Sequence, residues 1–206
     1  MHRFATISIF AVTLVALLSG AWLVRSGAET HAPPQPSAAQ GRAGAHVDRP
    51  AAAALPPAAP DRVRIPSIRV DAPLLGLGLT PQGSLDVPPA DRANLAGWYE
   101  AGTAPGETGT AIVAGHVDNA DGPAVFYRLG ALEKDSTIEV ERRDGRVALF
   151  SVDAVEVYDA HDFPDEKVYG AAGRPELRVI TCGGGYSEAT GYRGNVVVFA
   201  HLTGSR

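Results

Sequence analysis

The sequence is poor in sulfur, with one cysteine and one methionine in 206 residues. A lone cysteine excludes an internal disulfide and any zinc site built on several thiolates. Lysine is nearly absent: Lys134 and Lys167 are the only two among 18 basic residues. Acidic residues outnumber basic ones 23 to 18, for a formal charge of −5. That balance argues against nucleic acid as a partner, because phosphate recognition needs clustered Lys and Arg. There are no repeats and no heptads. Gly183-Gly184-Gly185 lacks the Lys and the strand-to-helix context of a phosphate-binding loop. No cofactor motif is present, so no cofactor is expected. Apolar residues, by contrast, make up 45 %, an ordinary globular share that excludes disorder along the whole chain.

That apolar content is unevenly spread. From Phe4 to Val24 run 21 uncharged residues, FATISIFAVTLVALLSGAWLV. As a helix they would span about 31 Å, one bilayer core. Arg3 precedes the run and favours a cytoplasmic N-terminus. This predicts a single-pass anchor over residues 1–24 with the remainder outside the cell. A cleaved signal peptide, with Ser19-Gly20-Ala21 at its end, is the rival reading and exports the same remainder. Residues 25–61 differ in kind. They hold 12 Ala and 7 Pro, and only Val47 and Leu55 are large apolar side chains. Such a stretch buries too little surface to offset its ordering entropy and reads as a disordered tether.

Residues 62–206 form the expected folded domain. Short β-rich runs recur at Arg62–Ile65, Ile68–Leu74, Thr110–Ala114, Thr137–Glu141, Arg146–Val152, Ala154–Tyr158, Leu177–Thr181 and Asn195–Leu202. Asp144-Gly145 between two of them predicts a tight hairpin. Near Ala154 the apolar parity shifts, which predicts a bulge or a strand break. Gly122-Pro123 before AVFYRL predicts one short helix with Pro at its first position. About eight strands with few helices predict an all-β closed barrel or a sandwich.

Cys182 is the first candidate for chemistry. In an exported protein an unpaired thiol is exposed to oxidants, although an inert buried cysteine is the commoner fate. Leu-Arg-Val-Ile-Thr-Cys reads as a strand ending at the thiol, and the glycines after it admit a close approach of substrate backbone. A thiol nucleophile needs a proton-transfer partner and an oxyanion stabiliser. Of the domain's histidines, His116 ends the strand TAIVAGH and mirrors Cys182; His161 lies in a polar loop and His201 in the last strand. Arg193 stands 11 residues beyond Cys182 and opens the next strand, so both should project from one end of the barrel. A cation site on His116, Asp118 and Asp121 is a minor alternative, since Asp-Asn-x-Asp-Gly is also ordinary turn chemistry.

The segments AGHVDNADGPAVFYRL, VITCGG and YRGNVVVFAH resemble, in order, the three signature segments of sortases, membrane-anchored cysteine transpeptidases of Gram-positive bacteria. The likeness covers nearly all of 62–206 and is nearest in flavour to class F. Arg178 and Val179 stand where the best-known members carry Thr and Leu, while Thr181 and Cys182 match. The resemblance implies an eight-stranded sortase barrel. It implies that Cys182 attacks a Thr-Gly-like bond of a C-terminal LPXTG-type sorting signal to form an acyl-thioester. His116 would protonate the leaving amine and deprotonate the incoming one, Arg193 would stabilise the oxyanion, and Thr181 would contact substrate. The implied partners are sorting-signal-bearing surface proteins and a peptidoglycan precursor or other amine acceptor. The family reads its signal in the loop between Tyr158 and Glu176. A cysteine peptidase using the same residues, and a non-catalytic envelope-binding domain with an inert thiol, are the rival functions.

Overall fold

In a computed structural model the described residues are 32–41 and 51–206. The barrel belongs to the unit Pro33–Arg206. The expected span Phe4–Val24 lies outside the described residues. Among those described, no helix is long and apolar enough to cross a membrane.

That unit is all-β. Eight strands close into a barrel: β1 (Pro60–Ile65), β2 (Val70–Leu77), β3 (Ala96–Tyr99), β4 (Gly109–Gly115), β7 (Thr137–Arg142), β8 (Val147–Asp159), β9 (Pro175–Ser187) and β10 (Gly191–Ser205). Their order around the barrel is β1-β2-β3-β4-β9-β10-β8-β7, closed by β7 pairing β1. The pairs β2·β3 and β4·β9 are parallel and the rest antiparallel. A two-stranded ribbon, β5 (Asp118–Asn119) with β6 (Gly122–Pro123), follows β4.

Alternation explains the interior. Val63 and Ile65, Ala111 and Val113, Ile138 and Val140, Leu177 and Val179, and Val196 and Val198 point inward with Phe126, Leu129 and Phe150. At roughly 1.5–3 kcal/mol per fully buried large side chain, these residues dominate the stability. The Asp144-Gly145 turn forms as predicted, with Gly145 at φ +82° and Arg142 N–H on the Arg146 carbonyl at 3.0 Å. The parity shift near Ala154 is a bulge within one continuous strand. Phe199 pairs Ala154 while Ala200 pairs Val152, so Asp153 is left over, and its carboxylate lies 2.8 Å from His201 Nδ1.

Two expectations need correcting. The stretch after Gly122-Pro123 is not a helix. Gly122-Pro123 is itself β6, Val125 N–H bonds the Ala93 carbonyl and Phe126 N–H bonds the His116 carbonyl, so tertiary partners take donors that a helix would use; isolated turns such as Leu129–Ala131 remain. The described parts of the Ala/Pro-rich stretch are also not free coil. Ala52 N–H bonds the Leu202 carbonyl, Leu55 N–H bonds the Gly106 carbonyl, and the buried Arg142 donates to the Pro56 and Pro105 carbonyls. Further upstream, Gln40 Nε2 donates to the Leu132 carbonyl at 2.6 Å, and Gln35 Oε1 accepts from Gly184 N–H at 3.2 Å. Backbone carbonyls and amides, not apolar side chains, make most of these contacts, and composition does not report them.

Candidate active site

The parallel ladder between β4 and β9 runs from Gly109↔Pro175 to Ala114↔Ile180. Two residues further along each strand stand His116 and Cys182. Side chains alternate with period two, so both belong to the face that carries Ile112 and Ile180, outside the barrel. Sequence reasoning paired these two residues; the register gives the physical reason.

Cys182 is exposed, and it is not the last residue of its strand. β9 continues to Ser187 and turns tightly into β10, with Asn195 opposite Cys182 and Gly194 opposite Gly183. The register then shifts before Tyr192↔Tyr186, leaving Arg193 in the irregularity. Gly184 and Gly185 take φ of +75° and +88°, a left-handed backbone that side-chain-bearing residues resist. A Cβ on Gly185 would also lie 2.9 Å from Arg193 Nη2, so the exposed guanidinium rests on that glycine, three residues past the thiol.

The half-buried His116 lies just beyond the end of β4, with Nε2 2.7 Å from the Pro88 carbonyl oxygen. A carbonyl only accepts, so in the neutral ring Nε2 carries the hydrogen and Nδ1 is the nitrogen left to exchange a proton. Partial desolvation, then the negative charge of Asp118, pushes the Cys182 thiol above its ordinary value. Both effects favour the protonated thiol over the thiolate.

Thr181, the expected substrate contact, faces the other way. It is 4 % exposed, and its hydroxyl donates to the Gly115 carbonyl at 2.8 Å. It braces the strand end next to His116. His161 N–H bonds the Asp159 carboxylate in an exposed turn, and His201 is buried against Asp153, far along β10 from Cys182. Among the described residues no group of three His, Cys, Asp or Glu gathers as metal ligands, His116, Asp118 and Asp121 included.

Sequence reasoning gave no role in this site to Tyr192 and considered Asp118 only as a metal ligand. The Tyr192 hydroxyl donates to Asp118 Oδ2, which joins the residue before Arg193 to the residue two past His116. Burial, that hydrogen bond and the nearby negative charge push the phenol upward from the usual tyrosine range. The segments HVD and YRG contain both residues, but only the fold brings them together.

From the same outer face a cleft of roughly 650 Å³ opens between the loop at Leu79–Leu85 and helix α1 (Asp165–Tyr169), with Thr110, Ile112 and Tyr99 on its walls. Val168 and Phe163 from the loop after β8 pack onto Ile112, Ile180 and Phe199.

The sortase-domain family model matches residues 63–203. No curated relative matches the chain in sequence. Among solved structures, sortase A of Listeria monocytogenes is similar at 16 % identity and a TM-score of 0.53, over 73 % of this chain and 90 % of that one. Sortase A of Corynebacterium diphtheriae is similar at 19 % identity and a TM-score of 0.54, over 72 % of this chain and 61 % of that one. Sortase C1 of Streptococcus agalactiae, in a complex with MTSET, is similar at 20 % identity and 0.53, over 70 % and 67 %. At these identities the structural likeness speaks for the fold.

Proposed function

The chain belongs to the sortase family, cysteine transpeptidases by general activity, and we propose that it joins proteins bearing a C-terminal LPXTG-like sorting signal to an amine of the cell wall. Cys182 is the nucleophile. As its sulfur attacks the Thr carbonyl of the signal, its proton passes to His116 Nδ1. The imidazolium then gives that proton to the leaving amine, and an acyl-thioester on Cys182 remains. Arg193 donates to the oxyanion of the tetrahedral intermediate. In the second half-reaction an amine attacks the thioester, the C–S bond breaks, His116 relays a proton to the sulfur, and the thiol is restored. The class F assignment and the anchoring of the enzyme outside the cell through Phe4–Val24 belong to the same reading.

The observation that supports it is the β4·β9 ladder, which reaches Ala114↔Ile180; His116 and Cys182 follow at equal offsets beyond that pair, with the parity of the face that carries the Ile112 cleft. From Ile112 to His116 the strand advances about 13 Å, the length of four extended residues. That matches the four residues of a sorting motif ahead of its scissile bond. Burial and Asp118 favour the protonated thiol, which supports activation by positioned proton transfer over a standing thiolate.

The test uses the full chain with a panel of LPXTG-like peptides, with and without a primary amine, read by mass spectrometry. The expected result is an acyl adduct on Cys182 and a ligated product when amine is present. Hydrolysis alone in saturating amine would make the protein a peptidase. No adduct on Cys182 with any peptide would remove the catalytic reading and favour a binding domain.

A further inference from the structure

The Asp118–Tyr192 pair serves no step of the first half-reaction. Asp118 sits where a carboxylate hinders: its charge opposes ionisation of the thiol that must become a nucleophile. Among the described residues no Lys, Arg or His pairs with it; its side chain accepts from the Tyr192 hydroxyl on Oδ2. Asp118 is half-buried, and among the described residues no side chain donates to its Oδ1. The flank of the pair is aromatic. Tyr192 packs edge-on to Tyr186 with ring centroids 5.1 Å apart, and Tyr186 is 62 % exposed. A carboxylate without a cation among the described residues, beside an exposed aromatic ring, is the surrounding that a small organic cation binds, through charge and through the ring faces.

The reaction proposed above brings one such cation to the thioester. We propose that Asp118, oriented by Tyr192, is the seat for the ammonium group of the acceptor, a primary alkylamine. This rests on the transpeptidase reading and deepens it. The hydrogen bond from Tyr192 ties the seat to the residue next to Arg193, while Asp118 itself lies two residues past His116. The charge of Asp118 acts on the Cys182 sulfur, so an ammonium held there sits in the neighbourhood of the thioester. The bound ammonium loses one proton to solvent, the free amine attacks the thioester carbonyl, and a C–N bond forms as the C–S bond breaks. The second nitrogen proton goes to His116 Nδ1 and from there to the sulfur. Water carries no charge and gains nothing from the seat, so Asp118 biases the acyl-enzyme toward transfer and away from hydrolysis.

The test compares two nucleophiles on the full chain, with the best sorting peptide at pH 7.5. Nα-acetyl-lysine amide is an ammonium at that pH, and hydroxylamine is largely neutral. For Asp118→Asn we expect the KM for the lysine derivative to rise about tenfold or more, while the hydroxylamine reaction and the rate of acyl-enzyme formation hold or improve. For Tyr192→Phe we expect a smaller shift in the same direction, and for Asp118→Glu partial recovery. The hydroxylamine rate also reports that each variant is folded. An equal loss with both nucleophiles would make the pair a structural clasp and overturn the seat, as would an unchanged KM for the lysine derivative in Asp118→Asn. Failure of the wild-type chain to acylate at all would instead overturn the transpeptidase reading, and the seat with it.

Discussion

The two faces of the β4–β9–β10 sheet are made by the same strands and do opposite work. Inward, Val113, Val179 and Val198 are fully buried in the apolar core. Outward, one residue away in each strand, Ile112, Ile180 and Val197 form a smaller apolar cluster at one end, and His116 and Cys182 stand at the other. A strand reverses its side with every residue, so stability and chemistry are separated by a single step along the chain. The side chains proposed for catalysis thereby stand on strands held by the core behind them, and substitutions on the two faces should fail in different ways.

The largest contrast pairs Cys182→Ala with Phe150→Ala. The alanine at 182 should abolish turnover and leave the melting temperature nearly unchanged, because the residue is exposed and lies outside the core. Phe150 is fully buried, and its truncation should cost about 3–5 kcal/mol of stability while leaving the chemistry of any folded fraction intact. Thermal unfolding and peptide turnover measured on both variants check this. A Cys182→Ala protein that is active, or unfolded, would erase the contrast.

Next come the histidines. His116→Ala should lose about 10²–10⁴-fold in turnover, the usual contribution of a general acid–base group. His201, 2 % exposed and bonded to Asp153, should behave as a core residue: its alanine loses about 1–3 kcal/mol of stability by stranding a part-buried carboxylate, at normal turnover per folded molecule. Arg193→Lys should fall close to Arg193→Ala, about 10²–10³-fold down in kcat with little change in KM, because an oxyanion donor acts only once the oxyanion exists. A mobile ammonium does not reproduce the planar fork that lies on Gly185. Steady-state kinetics on one peptide rank all four variants.

Much of this was legible in the sequence, and the reason is period. Alternating runs such as Thr137–Glu141 and Asn195–Leu202 report a face directly, and a parity slip at Ala154 reports the bulge that frees Asp153. Cys182, His116 and Arg193 stood out as candidates because each lies in or beside a strand with a clear pattern. Ala96–Tyr99 was not: four residues with two small ones carry no period, yet they pair β2 and β4 and close the barrel. The helix expected after Pro123 failed for a related reason. Local propensity favours a helix there, but Val125 and Phe126 give their amides to Ala93 and His116, which are remote in sequence. The Tyr192–Asp118 bond spans 74 residues, and no local signal carries it.

The smallest effect tests the boundary between the faces. Thr181 lies one residue from the nucleophile, on the inner face, and its hydroxyl holds the Gly115 carbonyl at 2.8 Å. Valine keeps the shape and removes the donor. The part-buried carbonyl would then lose this donor, at a cost of about 1–3 kcal/mol, or roughly 2–4 °C per kcal/mol in melting temperature for a domain of this size. Gly115 precedes His116, so part of that loss should reach the imidazole. If about 1 kcal/mol of it does, kcat falls roughly fivefold. KM for the peptide should hold, because Thr181 does not face the cleft. Thr181→Ser keeps the hydroxyl and should recover most of both losses. A Thr181→Val enzyme with a lower melting temperature and an unchanged kcat would confine the brace to stability. A raised KM with a normal kcat would instead put Thr181 in contact with substrate and blur the separation of the two faces at the residue where it should be sharpest.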